Sequence, residues 1–304
     1  MDKILAISGP TATGKTQLAF KLAEKFSGEL ISADSRQVYK GMDIGTGKEW
    51  GDVPIWGYDL VEPSEEWSAS YFVKYAQKII VDAQQRGKLP IAVGGTGLYI
   101  SNLLNPPETL NIPPDKKLRV ELERLSVSEL QEKLKQNNSQ RFELMNESDR
   151  QNPRRLVRAI EITTLASKGP TFFKKRSDLI RCSHSLHIAL MAPIKEIDRR
   201  IETRVRQRIE QGAEQEVRKL IEKYGWDSAL KFTIGYKEWR PRNDLDDQGS
   251  LEEIIKLWTI HEKQYARRQL TWMAKYSPDK LFNISRLNYY QDIEAYVSQW
   301  YHKK

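Results

Sequence analysis

Gly9-Pro10-Thr11-Ala12-Thr13-Gly14-Lys15-Thr16 is the stretch whose reading decides the fold. It follows the apolar run Ile4-Leu5-Ala6-Ile7 and opens a helical pattern carried by Leu18, Ala19, Leu22, Ala23 and Phe26. Strand, glycine loop, helix is the order that a phosphate-binding P-loop requires. Backbone N–H groups of such a loop curl around anionic oxygens, and the helix N-terminus adds partial positive charge. Gly9, Pro10, Thr11, Ala12, Thr13, Gly14, Lys15 and Thr16 are therefore the expected phosphate cradle. Lys15 would reach the outer phosphate, and the Thr16 hydroxyl would hold a magnesium ion. A di- or triphosphate is implied; the loop does not say which.

Outward from the loop, short apolar runs alternate with helical patterns, as in a doubly wound parallel sheet. Glu29 to Ala33 reads as a strand ending at Asp34, Ile55 to Leu60 as a third, and Leu89 to Val93 as a fourth. A helix is expected from about Ser70 to Gln85. Pro106, Pro107, Pro113 and Pro114 mark a boundary. Beyond them the pattern is helical to about Arg181, with a capping box expected at Ser128 to Gln131 and a helix start at Asn152-Pro153. Leu186 to Leu190 resumes the sheet. Ile197, Ile201, Val205 and Ile209 then form a core-facing helix stripe. A helix follows around Glu214 to Tyr224, and Ser250 with Glu253 opens a long one carrying Trp258, Tyr265 and Trp272. Leu281 to Ile284 is the expected last strand. The fold class is thus α/β, a P-loop NTPase-like parallel sheet flanked by helices (1–105 and 182–304) with a helical insertion domain (106–181).

The 304 residues suffice for a large core, and 39% hydrophobic with 30% charged residues is ordinary for a globular chain. No run approaches the roughly 18 to 20 apolar residues that cross a bilayer. Met1-Asp2-Lys3 leads straight into the first strand with no room for a cleavable signal, so a cytoplasmic protein is expected. Cys182 is the single cysteine, which excludes a disulfide framework and a cysteine-based zinc site. The four histidines lack metal-ligand spacing. A net charge of +8 is compatible with a nucleic-acid partner.

Asp34 stands where ligands of open α/β sheets gather, at the carboxyl end of a strand. It suits a general base, a metal ligand through water, or a strand-ending turn. Ser35, Arg36 and Gln37 beside it could read a polar substrate. The fourth strand ends in Gly94-Gly95-Thr96 rather than in an acid that would help hold magnesium in a motor ATPase. Arg150, Arg154, Arg155 and Arg158 form a dense arginine group, either a solvated face or a phosphate-backbone clamp. Arg200, Arg204 and Arg208 flank the isoleucine stripe and read mostly as charged flanks. In Tyr265 to Trp272 the two aromatics read as core and the arginines as exposed. A small-molecule phosphotransferase with an insertion lid and an RNA-acting transferase both fit.

Together the motifs resemble those of the tRNA dimethylallyltransferases. Gly9 to Thr16 is similar to the family's G-P-T-A-x-G-K-T, and Asp34 to Thr46 to its most distinctive stretch. Val93 to Tyr99, Asn152 to Glu161, Ile234 to Glu238 and Arg268 to Trp272 resemble further motifs in the family's order. The resemblance implies transfer of a dimethylallyl group from dimethylallyl diphosphate to N6 of adenosine 37, beside the tRNA anticodon. The P-loop would then hold a leaving diphosphate, with Thr11 and Thr13 as hydroxyl donors and Mg2+ on Thr16. Asp34 would accept the N6 proton, Thr96 orient the base, and Arg119 lie near the reaction centre. Asp34, Ser35, Arg36 and Gln37, Arg154, Arg155, Leu156, Val157 and Arg158, and Phe232, Thr233, Ile234, Gly235, Tyr236 and Lys237 would hold the anticodon stem-loop. The implied enzyme is a monomer without a membrane partner. The alternative is a P-loop kinase of a nucleoside- or shikimate-like acceptor. Two departures stand out. Val53-Pro54-Ile55-Trp56 lacks the histidine pair usual in the family, and Arg208 occupies a position where methionine is common.

Overall fold

The computed structural model describes residues 3–166, 184–240 and 251–303, without the side chain at 111. Cys182 and the expected cap at Ser250 lie outside the described residues. Two compact units divide the chain: Met1–Asn105 with Arg181–Lys304, and Pro106–Ile180.

The first unit is built on six parallel strands: β1 (Lys3–Ser8), β2 (Gly28–Ser32), β3 (Ile55–Trp56), β4 (Leu89–Val93), β5 (His184–Met191) and β6 (Lys280–Asn283). Their order is β3-β2-β4-β1-β5-β6. β2 and β4 are buried at every residue and β1 at all but its first, as apolar runs covered on both faces must be. Helices α1 (Lys15–Lys25), α2 (Ala69–Gln85) and α3 (Gly97–Leu104) follow β1, β3 and β4. The described residues add α8 (Ile194–Glu210), α9 (Ala213–Tyr224), α10 (Leu251–Lys275) and α11 (Tyr289–His302). This is the P-loop NTPase-like arrangement expected. β4 lies between β1 and β2, with Val93 level with Ile7 on one side and Ser32 on the other. The carboxyl ends of three neighbouring strands therefore deliver Gly9, Gly94 and Asp34 to one edge of the sheet.

Two sequence expectations shift. β3 stops at Trp56 rather than Leu60, because Gly57 at φ 101° turns the chain directly after it and Asp59 at φ 53° keeps it off an extended path. Tyr265 and Trp272 are half-buried rather than core, Trp272 stacking on Tyr276 with ring centroids 4.8 Å apart.

The described part of the second unit holds α4 (Lys116–Leu122), α5 (Val127–Glu143), α6 (Glu147–Arg150) and α7 (Pro153–Ala166). The capping box belongs to Ser126 and Glu129 rather than Ser128 and Gln131: Ser126 N donates to Glu129 Oε2 at 2.8 Å and Glu129 N to Ser126 Oγ at 3.3 Å. The unit packs around Leu122, Leu130, Leu134, Leu156 and Ile160. Glu161, fully buried on α7, accepts from Arg119 Nε at 2.7 Å, Arg158 Nη1 at 3.2 Å and Asp115 N at 3.0 Å.

Candidate active site

A cavity of about 840 Å³ opens at the strand edge of the first unit, with the P-loop along one side. Thr11, Ala12, Gly14, Lys15 and Thr16 line it. Lys15 Nζ donates to Pro10 O at 2.7 Å. Burial, with the nearby Arg204 guanidinium, brings its ammonium down to about 8. Thr13 is buried and its hydroxyl donates to Pro10 O at 2.8 Å, a contact within the loop itself.

Asp34, Ser35, Arg36 and Gln37 line the same cavity. Asp34 Oδ1 accepts from Arg36 N at 2.8 Å, so the turn role and a position in the cavity coexist. Burial raises the Asp34 carboxyl above the usual carboxylate range, against the opposing pull of Arg36 and Lys15. Thr96 caps α3 without lining the cavity; its Oγ1 accepts from Ser35 N at 3.0 Å and so fixes the loop that carries Asp34. Gly94 permits this juncture, because a Cβ there would stand 2.2 Å from Ala33 O.

The far wall comes from α8 and α10. Gln269, buried on α10, bridges the P-loop and the Gly94-Gly95 turn after β4: its Oε1 accepts from Thr11 N at 2.8 Å, and its Nε2 donates to Gly95 O at 2.9 Å. Arg204 of α8 donates to Thr11 Oγ1 and, at 3.1 Å, to Glu262 of α10. Burial, opposed by Glu262, brings the Arg204 guanidinium down to about 10. Sequence reasoning assigns no site role to Glu262 or Gln269, and Arg204 is among the arginines it reads mostly as charged flanks of the isoleucine stripe. The available signal was the stripe Trp258, Glu262, Ala266, Gln269 and Met273, buried at helical spacing with an acid inside it.

Of the remaining expected residues, Phe232, Thr233, Ile234 and Lys237 line the cavity. Tyr236 does not; it is fully buried and its hydroxyl donates to Glu216 at 2.6 Å. Gly235 is buried too, its N–H donating to Glu238 at 2.8 Å. In the second unit Arg154 and Arg155 are exposed, Arg155 pairing with Asp149. Leu156 and Val157 are core residues, so their side chains are not a surface for RNA. Arg158 donates to Thr109 O at 3.1 Å and Ile112 O at 2.8 Å as well as to Glu161, and Arg119 is held by the same carboxylate. Their first partners lie inside the unit. Among the described residues no group of three or more His, Cys, Asp and Glu side chains could hold a metal. No described helix is long and apolar enough to cross a membrane.

Residues 37–276 match the profile of the family described as IPP transferase, and residues 2–52 that of isopentenyl transferase. A tRNA dimethylallyltransferase of Anoxybacillus flavithermus is 36% identical over 93% of this chain and 91% of its own length. One from Caldanaerobacter subterraneus is 34% identical over 98% and 97%. The tRNA isopentenylpyrophosphate transferase structure from Bacillus halodurans superposes with a TM-score of 0.71 at 32% identity, covering 99% of this chain and 97% of that one. A eukaryotic dimethylallyltransferase acting on tRNA gives 0.78 at 25% identity, covering 98% and 80%.

Proposed function

The chain belongs to the IPP transferase family, and we propose that it transfers a dimethylallyl group from dimethylallyl diphosphate to N6 of adenosine 37 in tRNA. The observation that carries this reading is a single cavity lined by both the P-loop with Lys15 and the carboxylate of Asp34. The allylic C–O bond breaks and its electron pair leaves on the diphosphate. The N6–C bond forms, and the N6 proton passes to Asp34. P-loop N–H groups and Lys15 stabilise charge that grows on the departing oxygens, which is where preorganised donors act most strongly. The adenine amine is a poor nucleophile because its lone pair is delocalised into the ring. A carboxylate held above its usual range is a better acceptor for the proton that must leave.

Thr16 lines the cavity beside Lys15, and a lone hydroxyl there suits a magnesium ion that arrives with the diphosphate. When bound, the ion supplies charge neutralisation of the leaving group. The adenine must leave its stack to reach the cavity, which fits a loop target with unstacked bases. Arg36 and Lys237 on the first unit, and exposed Arg154 and Arg155 on the second, are the cations offered to the anticodon stem-loop. The reading extends to a cytoplasmic monomer. A kinase would use the same cradle, but β4 runs into Gly94-Gly95 without an acid, and the named relatives act on tRNA.

Incubation with tRNA, magnesium and dimethylallyl diphosphate, then nucleoside digestion and mass spectrometry, tests the proposal. Prenylated adenosine is expected. Its absence, with ATP-dependent phosphorylation of a small acceptor, would overturn it.

A further inference from the structure

Glu262 is a buried carboxylate to which the reaction above gives no role, yet it touches both halves of the site. It lies on the inward face of α10, between Arg204 and Arg208 of α8, at 3.1 Å from each. Arg204 passes the contact to Thr11 Oγ1 of the P-loop. Gln269, from the same face of α10, holds Thr11 N. The backbone of Thr11 is therefore set by α10 through Gln269, and its side chain by α8 through Arg204, which Glu262 of α10 holds in turn.

Arg208 runs the other way. Its Nη1 donates to Gly45 O at 3.1 Å as well as to Glu262. A Cβ on Gly47, which has φ 67°, would lie 2.0 Å from Arg208 Nη2, so the guanidinium fills the space that a side chain at 47 would need. Gln37 Nε2 donates to Gly47 O at 3.0 Å. Gln37 is in the segment that follows Asp34. The contacts thus run from Thr11 through Arg204, Glu262, Arg208 and the Gly45–Gly47 loop to the Asp34 segment.

We propose that Glu262 is a positioning residue that holds Arg204 at the diphosphate side and Arg208 at the acceptor side of the cavity, so that the two halves are set in one geometry. The proposal rests on the donor-site reading above. The charges agree with it. Lys15 and Arg204 gather where a diphosphate would bind, Arg208 stands at the Gly45 side, and Glu262 is the buried anion that holds both arginines before the diphosphate arrives. Its carboxyl is held below the usual range: burial alone would raise it, and the two guanidinium groups outweigh that.

Three variants test the proposal: Glu262→Gln, Arg208→Met and the double substitution. Each is measured for binding of inorganic diphosphate with magnesium by calorimetry, for thermal midpoint, and for KM of donor and tRNA. Calorimetry with diphosphate needs neither RNA nor transfer, so failure of prenylation alone would sink the functional reading without touching this result. Glu262→Gln should weaken diphosphate binding about tenfold or more and raise the donor KM in parallel, as expected when a charge-assisted contact that orients Arg204 is lost. Arg208→Met should act less on diphosphate and more on the KM for tRNA. The double variant should recover the thermal midpoint lost in Glu262→Gln, because one uncompensated buried cation is gone, while diphosphate binding stays weak. If diphosphate affinity recovers together with the midpoint, Glu262 is only a structural counter-ion and the proposal fails. Wild-type diphosphate affinity in Glu262→Gln would also overturn it.

Discussion

Glu161 and Glu262 are each buried between two arginines, and the clusters end in different surroundings. Around Glu161, Arg119 and Arg158 turn to one carboxylate, and Arg158 spends its remaining donors on the carbonyls of Thr109 and Ile112. These contacts lie within the second unit. Around Glu262, Arg204 ends on Thr11 and Arg208 on Gly45, both in the cavity wall. A buried carboxylate flanked by arginines is thus no indicator of function by itself. Where the arginines' other donors go separates a brace from a working site.

Asp34→Ala attacks the cavity side of this contrast and carries the largest expected effect. Single-turnover transfer should fall by about a hundredfold or more, the range of general-base contributions. RNA affinity from filter binding should stay near wild type, and near-normal transfer would remove Asp34 from the chemistry. Glu161→Ala attacks the other side. It should cost about 3 kcal/mol of stability, as removal of one partner from a buried ion pair does, in urea denaturation monitored by circular dichroism. Diphosphate affinity should be unchanged, and a large loss would erase the distinction between the clusters.

The two carboxylates also differ in pH behaviour. Burial would raise Glu161, but Arg119, Arg158 and the Asp115 N–H outweigh it and hold the carboxyl below its usual value. Its stabilising contribution is therefore complete above the ordinary carboxylate range near about 4 and lost as pH falls through the lowered value. Asp34 moves the opposite way, because burial dominates. The rate should fall with decreasing pH through a value above the ordinary range, while the helical unit is still intact. A kcat/KM profile beside acid unfolding would show two separated transitions; coincident ones would mean that activity is lost by unfolding.

The sequence carried the local parts of this molecule well. Strand, loop and helix around Gly9 to Thr16 are contiguous, as is the run from Leu89 into Gly94, so periodicity and glycine spacing reveal both. Asp34 was legible because strand ends are where sheets offer ligands. Glu262 was not, since its partners lie on α8, far back in the chain, and pairing across helices leaves no short-range pattern. An acid within the stripe from Trp258 to Met273 was the one hint, because a buried carboxylate needs a partner. Leu156 and Val157 come in with the motif that the resemblance implies for tRNA, and helical periodicity turns their side chains inward, away from exposed Arg154 and Arg155.

The smallest effect belongs to the exposed arginines. Arg154→Ala with Arg155→Ala should weaken tRNA binding several-fold and flatten its log–log dependence on salt by about two units, roughly one per phosphate contact. An unchanged slope would leave both arginines as solvated helix surface.

In the proposed reaction the P-loop holds a leaving group. Dimethylallyl diphosphate labelled in its phosphates, reacted with tRNA in a single turnover, tests it most directly. The label should be released as inorganic diphosphate, mole for mole with prenylated adenosine. Label transferred to the RNA, or released as orthophosphate without prenylation, would contradict it.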